Sequence, residues 1–134
     1  MRHPIQILVL FLFSLSLVGC ATDSSSDHNS TGSKRWIGHT ETGQASYYNQ
    51  KYHGRKTASG ERMDQNAKTA AHRTLPFGSR VKVTHAKTGK SVIVRINDRG
   101  PFIRGRVIDL SKSAFKAIGD LDAGLVPVKI QVIE

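Results

Sequence analysis

Apolar positions fall along this chain in three rhythms, and each predicts a different kind of element. The first is a block: Ile5 to Val18 is apolar except at Gln6, Ser14 and Ser16. The second is the alternation of half-buried strands. Val81 and Val83 alternate with basic residues, Lys87-Thr88-Gly89-Lys90 has turn chemistry, and Ser91 to Ile96 resumes a β-rich run, so this stretch predicts a hairpin. Arg106-Val107-Ile108 predicts a further short strand. The last run sets Val126, Val128, Ile130 and Val132 on one face against Lys129 and Gln131, and Pro127 predicts that its end of the strand lies at a sheet edge. The third rhythm is helical and brief. Ser111 is placed to cap a helix, Ala114, Phe115 and Ile118 form its apolar face, and Gly119 stands where the C-terminal cap belongs. Short strands, Gly-rich turns and one helix predict a mainly β fold, a small closed barrel.

Composition divides the chain. From Ala21 to Thr42 it is dominated by Ser, Thr, Asp, Asn, Gly and His, too polar to offset the entropy of ordering, and is read as a flexible tether. Trp36 and Ile37 depart from that composition; docking on the domain is one reading, but in a linker the incidental reading is preferred. Residues 43–134 form one domain, large enough to bury about 60–65% of its unfolded surface in a single core. The expected organisation is therefore a leader over 1–19, Cys20 with its tether over 20–42, and the barrel over 43–134.

The apolar block follows Arg2 and is shorter than the roughly 20 residues of a membrane span, so it reads as a secretory signal. It ends Leu17-Val18-Gly19-Cys20, which resembles the bacterial lipobox. That resemblance implies diacylglycerol on the Cys20 thiol, cleavage before it, and anchoring to a lipid bilayer, each buried methylene contributing about 0.8 kcal/mol. Ala21, where inner-membrane lipoproteins carry aspartate, implies the outer membrane, facing the periplasm. Cys20 is the one cysteine in the chain, so no internal disulfide forms and stability has to come from packing.

Four loop segments concentrate Gly, His, carboxylate and Arg: His53-Gly54-Arg55-Lys56-Thr57-Ala58-Ser59-Gly60-Glu61, Ala70-Ala71-His72-Arg73-Thr74-Leu75-Pro76-Phe77-Gly78, Asn97-Asp98-Arg99-Gly100-Pro101-Phe102, and Arg106-Val107-Ile108-Asp109-Leu110-Ser111. In this order, after Gly43-Gln44-Ala45-Ser46-Tyr47-Tyr48, they resemble rare lipoprotein A, a double-psi β-barrel family that includes peptidoglycan lytic transglycosylases. The resemblance implies a six-stranded barrel with a groove across it. It also implies that Glu61, His72 and Asp98 line the groove, with Asp109 as a fourth catalytic candidate. Members often carry a second, glycan-binding domain; this sequence ends at Glu134, directly after its last strand, and is expected to lack one.

Cleaving a glycosidic bond needs a carboxylic acid still protonated near neutral pH, which burial or a neighbouring like charge provides. A hydrolase adds a second carboxylate to activate water or to attack. A lytic transglycosylase uses the muramyl 6-hydroxyl as its nucleophile and makes a 1,6-anhydro product, so one residue can donate a proton and later remove one. Each candidate also has a plainer reading. Asp98 can stabilise a turn, Asp109 precedes a helix, Glu61 can be a solvated carboxylate and His72 a structural histidine.

Charge adds to this. Residues 43–134 hold 17 Lys and Arg against 7 Asp and Glu. On an exported domain such a surplus points away from nucleic acid and toward peptidoglycan, whose muramyl lactates and stem peptides carry carboxylates. Arg55, Arg99, Arg104 and Arg106 share loops with the acids and, with Tyr47, are the expected substrate contacts. His53 and His85 lack ligand spacing, and neither metal nor cofactor is expected. The leading expectation is a lytic transglycosylase acting on peptide-poor glycan strands. The alternative is an expansin-like lipoprotein that binds or loosens the wall without cutting it.

Overall fold

The computed structural model describes residues 34–134; the apolar leader, the lipobox and Cys20 lie outside the described residues. Six strands and one α-helix follow in the order β1 (Thr40–Tyr47), β2 (Thr69–Ala71), β3 (Arg80–His85), β4 (Ser91–Asp98), β5 (Arg106–Leu110), α1 (Lys112–Ile118) and β6 (Val126–Val132). Short 3-10 turns stand at Gln50–Tyr52 and Leu121–Ala123. The strands close into a barrel in the order β1-β5-β2-β4-β3-β6.

The predicted hairpin forms: β3 and β4 pair antiparallel, from Arg80 opposite Arg95 to Thr84 opposite Ser91. β5, α1 and β6 also stand where the periodicity predicts them. Val126, Val128, Ile130 and Val132 point into the core, joined by Val81, Val83, Val94, Ile96, Ile108 and Leu110. Ser111 caps α1, its Oγ accepting from Ala114 N at 3.3 Å, and the helix lays Ala114, Phe115 and Ile118 on the barrel.

Four expectations change. β6 is a wall strand between β1 and β3, because closure leaves it no free side. Pro127 is tolerated since it lies one residue past the last β3 pair, His85 opposite Val128; its carbonyl still accepts from Ala86 N at 2.8 Å. The barrel also begins earlier than composition suggests. Thr40 to Thr42, read as tether, pair with Gln131 to Lys129 of β6, because strand pairing uses backbone groups that polar side chains do not forfeit. Trp36 packs against the core and meets the His39 ring edge-on at 5.1 Å, so it is a docked residue and not an incidental one. Lastly, Ala70 and Ala71 belong to a strand, β2, and not to a loop.

Two parallel pairings give the barrel its character: β1 with β5, and β2 with β4. At Gly43 a Cβ would come within 3.0 Å of Val107 Cβ and 3.1 Å of the Gly105 carbonyl, so glycine lets β1 approach β5 closely. Just beyond it the register shifts between Gln44 and Ala45, which brings Ser46 opposite Asp109.

Candidate active site

β2 decides where the acids sit. Its Ala71 is in register with Asp98 of β4 on one side and with Asp109 of β5 on the other. Cross-strand partners point to one face, so the two aspartates flank a single small residue, about 9–10 Å apart at their Cα atoms, two strand spacings. Both line a cleft of about 650 Å³, together with Tyr47, Tyr48, Tyr52, Arg55, Arg99 and Arg106. Asn49, Lys56 and Ile103 complete the lining.

Asp98, at the end of β4, accepts three hydrogen bonds. Tyr48 Oη donates to Oδ2 at 2.6 Å, and the backbone N–H groups of Ala58 and Arg99 both donate to Oδ1 at 2.9 Å. Burial, then the Asp98 carboxylate, pushes the Tyr48 phenol far above its ordinary range, so Tyr48 stays a donor. Asp109 is held differently. Ser46 Oγ and Arg106 Nη2 both donate to its Oδ1, the latter at 2.5 Å, and Arg106 also donates to Ser46 Oγ. Asp109 Oδ2 takes no protein hydrogen bond among the described residues.

The other sequence candidates take other places. Glu61 is half-exposed and outside the cleft lining; Arg95 Nη1 grips it at 2.7 and 3.0 Å and Asn97 Nδ2 donates at 3.0 Å. Those bonds, Arg95 first, hold its carboxyl below the ordinary glutamate value. His72 is 1% exposed. Its Nδ1 accepts from Thr74 N and Leu75 N, each at 3.1 Å, and its Nε2 lies 3.2 Å from Glu41 Oε1, at ion-pair distance. It meets the Asp98 strand end through backbone, His72 N donating to the Asp98 carbonyl at 3.2 Å. Arg99 bridges the two: its guanidinium stacks 4.0 Å over the Phe77 ring and donates to the His72 carbonyl at 3.2 Å. Tyr47 faces the cleft with its ring packed on Phe115 and its hydroxyl donating to the Leu121 carbonyl at 3.1 Å. Arg55 lies over Tyr52, 5.6 Å from the ring centroid. Arg104 is exposed and outside the lining.

Sequence reasoning missed Ser46 and the Tyr48 hydroxyl as partners of the acids; the Ser46-Tyr47-Tyr48 run ahead of a turn was the available signal. It missed Glu41 as well. Burial works to raise that carboxyl, but the hydrogen bond from His39 at 2.8 Å and the charge of His72 lower it on balance. His72 is lowered below 6.5, chiefly by burial and against the pull of Glu41. The unfolded chain therefore takes up a proton there before the folded protein does, and acidification favours unfolding. Melting temperature is expected to fall from about pH 7.5 to about 5.5, and less steeply in His72→Gln. Equal slopes in the two proteins would acquit His72.

Fold and cleft together define a small double-psi β-barrel with two aspartates at the ends of the two strands that flank β2. Over residues 40–130 the chain matches, and belongs to, the double-psi barrel family described as lytic transglycolase. It is 60% identical over 92 residues to the probable endolytic peptidoglycan transglycosylase RlpA of Synechocystis sp., covering 69% of this chain and 29% of that protein. It is 57% identical over 94 residues to the endolytic peptidoglycan transglycosylase RlpA of Neisseria meningitidis serogroup A, covering 70% and 39%. The chain thus spans between 29% and 39% of the length of these curated relatives. Among solved structures, the Streptomyces papain inhibitor superposes with a TM-score of 0.58 at 26% identity, over 73% of this chain and 97% of that one. A mutant Clavibacter michiganensis expansin in complex with cellohexaose superposes at 0.57 and 23% identity, over 71% and 50%, a likeness of fold.

Proposed function

We propose that this protein is a lytic transglycosylase that cuts the glycan strands of peptidoglycan in the cell envelope. The observation that carries the reading is the pair of aspartates flanking Ala71 in one tyrosine-lined, basic cleft; the relatives named as peptidoglycan transglycosylases support it.

In this reading Asp109 moves the proton, since its Oδ2 is open while Ser46 and Arg106 fix Oδ1. As the bond from the anomeric carbon to the leaving oxygen breaks, Asp109 protonates that oxygen. The muramyl 6-hydroxyl then closes on the anomeric carbon and returns its proton to Asp109, leaving a 1,6-anhydro end with no water consumed. Asp98, oriented by Tyr48 and two backbone N–H groups, faces the carbon where positive charge develops. Glu61 and His72 act from behind this end of β4, Glu61 through Asn97 and Arg95, His72 through the Asp98 backbone. The tyrosines offer faces to sugar rings, and Arg55, Lys56 and Arg99 attract carboxylates.

Mass spectrometry of sacculi digested with the protein tests this: 1,6-anhydro-muramyl ends are expected. Reducing ends would mean hydrolysis. Binding without product would favour a non-catalytic wall-binding lipoprotein, for which the pinned side chains of the cleft are equally suited.

We propose further that Cys20 carries the lipid that holds the protein on a membrane, the outer one by the Ala21 rule. The Cys20→Ala protein is expected to lose incorporation of an acyl-chain probe and its membrane sedimentation. Label retained in that variant would sink the assignment.

A further inference from the structure

Beside the cleft lies a second concavity of about 340 Å³, lined by Gln50, His53, Gln65, Lys112, Ser113 and Lys116 among others. It shares no lining residue with the cleft. The wall between them is the 3-10 turn and its flanks: Asn49 and Tyr52 face the cleft, Gln50 and His53 the pocket. That wall is pinned from the pocket side. Gln65, 4% exposed, donates from Nε2 to the carbonyls of Tyr48 at 2.8 Å and Asn49 at 3.3 Å, while its Oε1 accepts from Lys112 N at 2.8 Å. One side chain thus fixes the depth of the pocket and the stance of the tyrosine that holds Asp98.

The pocket's chemistry is one-sided. Gln65 N donates to His53 Nδ1 at 3.1 Å, which makes Nε2 the N–H of the neutral ring. Lys112 and Lys116 stand four residues apart on α1, so their side chains share a face. Neither forms an ion pair among the described residues. No carboxylate lines the pocket. The nearby acids are turned to their own backbone, Asp64 accepting from Asn66 N at 2.8 Å and Asp120 from Asp122 N at 3.0 Å. Two ammonium groups, an imidazole N–H and a hydroxyl one turn from a glycan cleft fit an anion borne on the strand. They do not fit a neutral stretch of N-acetylhexosamine.

We propose that this pocket is a carboxylate subsite for a muramyl unit flanking the scissile bond. It takes the lactyl carboxylate of a peptide-free residue or a stem-peptide carboxylate of a substituted one. The proposal rests on the peptidoglycan reading and adds a second anchoring point to it.

The test compares wild type with the Lys112→Gln/Lys116→Gln double variant on three substrates: intact sacculi, sacculi stripped of peptide by an amidase, and stripped glycan with its carboxyls amidated. On carboxylate-bearing glycan the variant's KM is expected to rise roughly tenfold at unchanged kcat, as for the loss of two screened charge contacts. Raised salt should close that gap, and on amidated glycan the two proteins should agree. A larger effect on stripped sacculi assigns the pocket to the lactyl group, and a larger effect on intact ones to the stem peptide. Equal KM on all three substrates would overturn the proposal. Sedimentation with the same sacculi separates the two readings. If wild type releases no anhydro ends, the transglycosylase reading fails, while salt-sensitive binding that the double variant loses still supports the subsite.

Discussion

Asp98→Asn is expected to cut release of 1,6-anhydro ends by roughly 10²–10⁴-fold, the range for loss of a charged group at the reacting centre. The swap keeps size but converts one acceptor oxygen into an N–H₂ donor. An amide can keep Oδ1 on Ala58 N and Arg99 N and donate from Nδ2 to Tyr48 Oη, but the Tyr48 hydroxyl then loses the acceptor for its own hydrogen. Some loss of stability is therefore expected too, about 1–3 kcal/mol for an unmatched buried partner. A thermal melt run beside the product assay tells the two apart. A folded, inactive variant supports the role in the cleft; a folded variant with wild-type turnover would falsify it. If the variant does not fold, Asp98 is a turn acceptor first, and Asp109→Asn carries the test. Glu61→Gln should cost less than either, because Glu61 lies outside the cleft lining and is bound to Arg95 and Asn97.

Phe115→Ala should give the largest stability loss. Phe115 is fully buried between α1 and the barrel and is the bulkiest of the completely buried side chains. Truncating such a residue costs about 3–5 kcal/mol, the spread reflecting how far the site can collapse. For a domain of this size that lowers the melting temperature by more than about 10 °C. Tyr47 stacks on the same ring at 4.8 Å and forms one side of the cleft, so weaker glycan binding should accompany the lower melting point. A drop of only a few degrees would mean that α1 is dispensable to the barrel.

What could be read from the sequence depended on whether a residue's environment was local. β3, β4 and β6 alternate because one face meets the core and the other meets water, and that period survives in the residue order. β2 does not alternate: Thr69, Ala70 and Ala71 are all buried, flanked by strands on both sides, and three residues carry no period to detect. Thr40 to Thr42 looked like tether because their contribution is made by backbone. In the site, Asp98, Asp109, Arg55, Arg99, Arg106 and Tyr47 come together in the cleft. The Ser46 and Arg106 grip on Asp109 required knowing that β1 and β5 run parallel. His72 sits next to Ala71 yet turns to Glu41, since its side chain follows the barrel interior and not the face carrying the acids.

The strand order has a consequence for the time course of folding. β1 pairs with β5 and β6, so Gln44 must wait for Arg106, and Thr40 for Gln131. The first strand made is thus among the last to be satisfied, and β3 and β4 form the one pair that can zip up locally. Such sequence-distant closure is slow, typically milliseconds to seconds for small β domains. Until β6 arrives, the edges of β1 and β3 both stand open to another chain's strand. Crowded, half-made copies of this barrel should therefore be prone to pair with one another at those two edges, and the hazard ends when the ring closes.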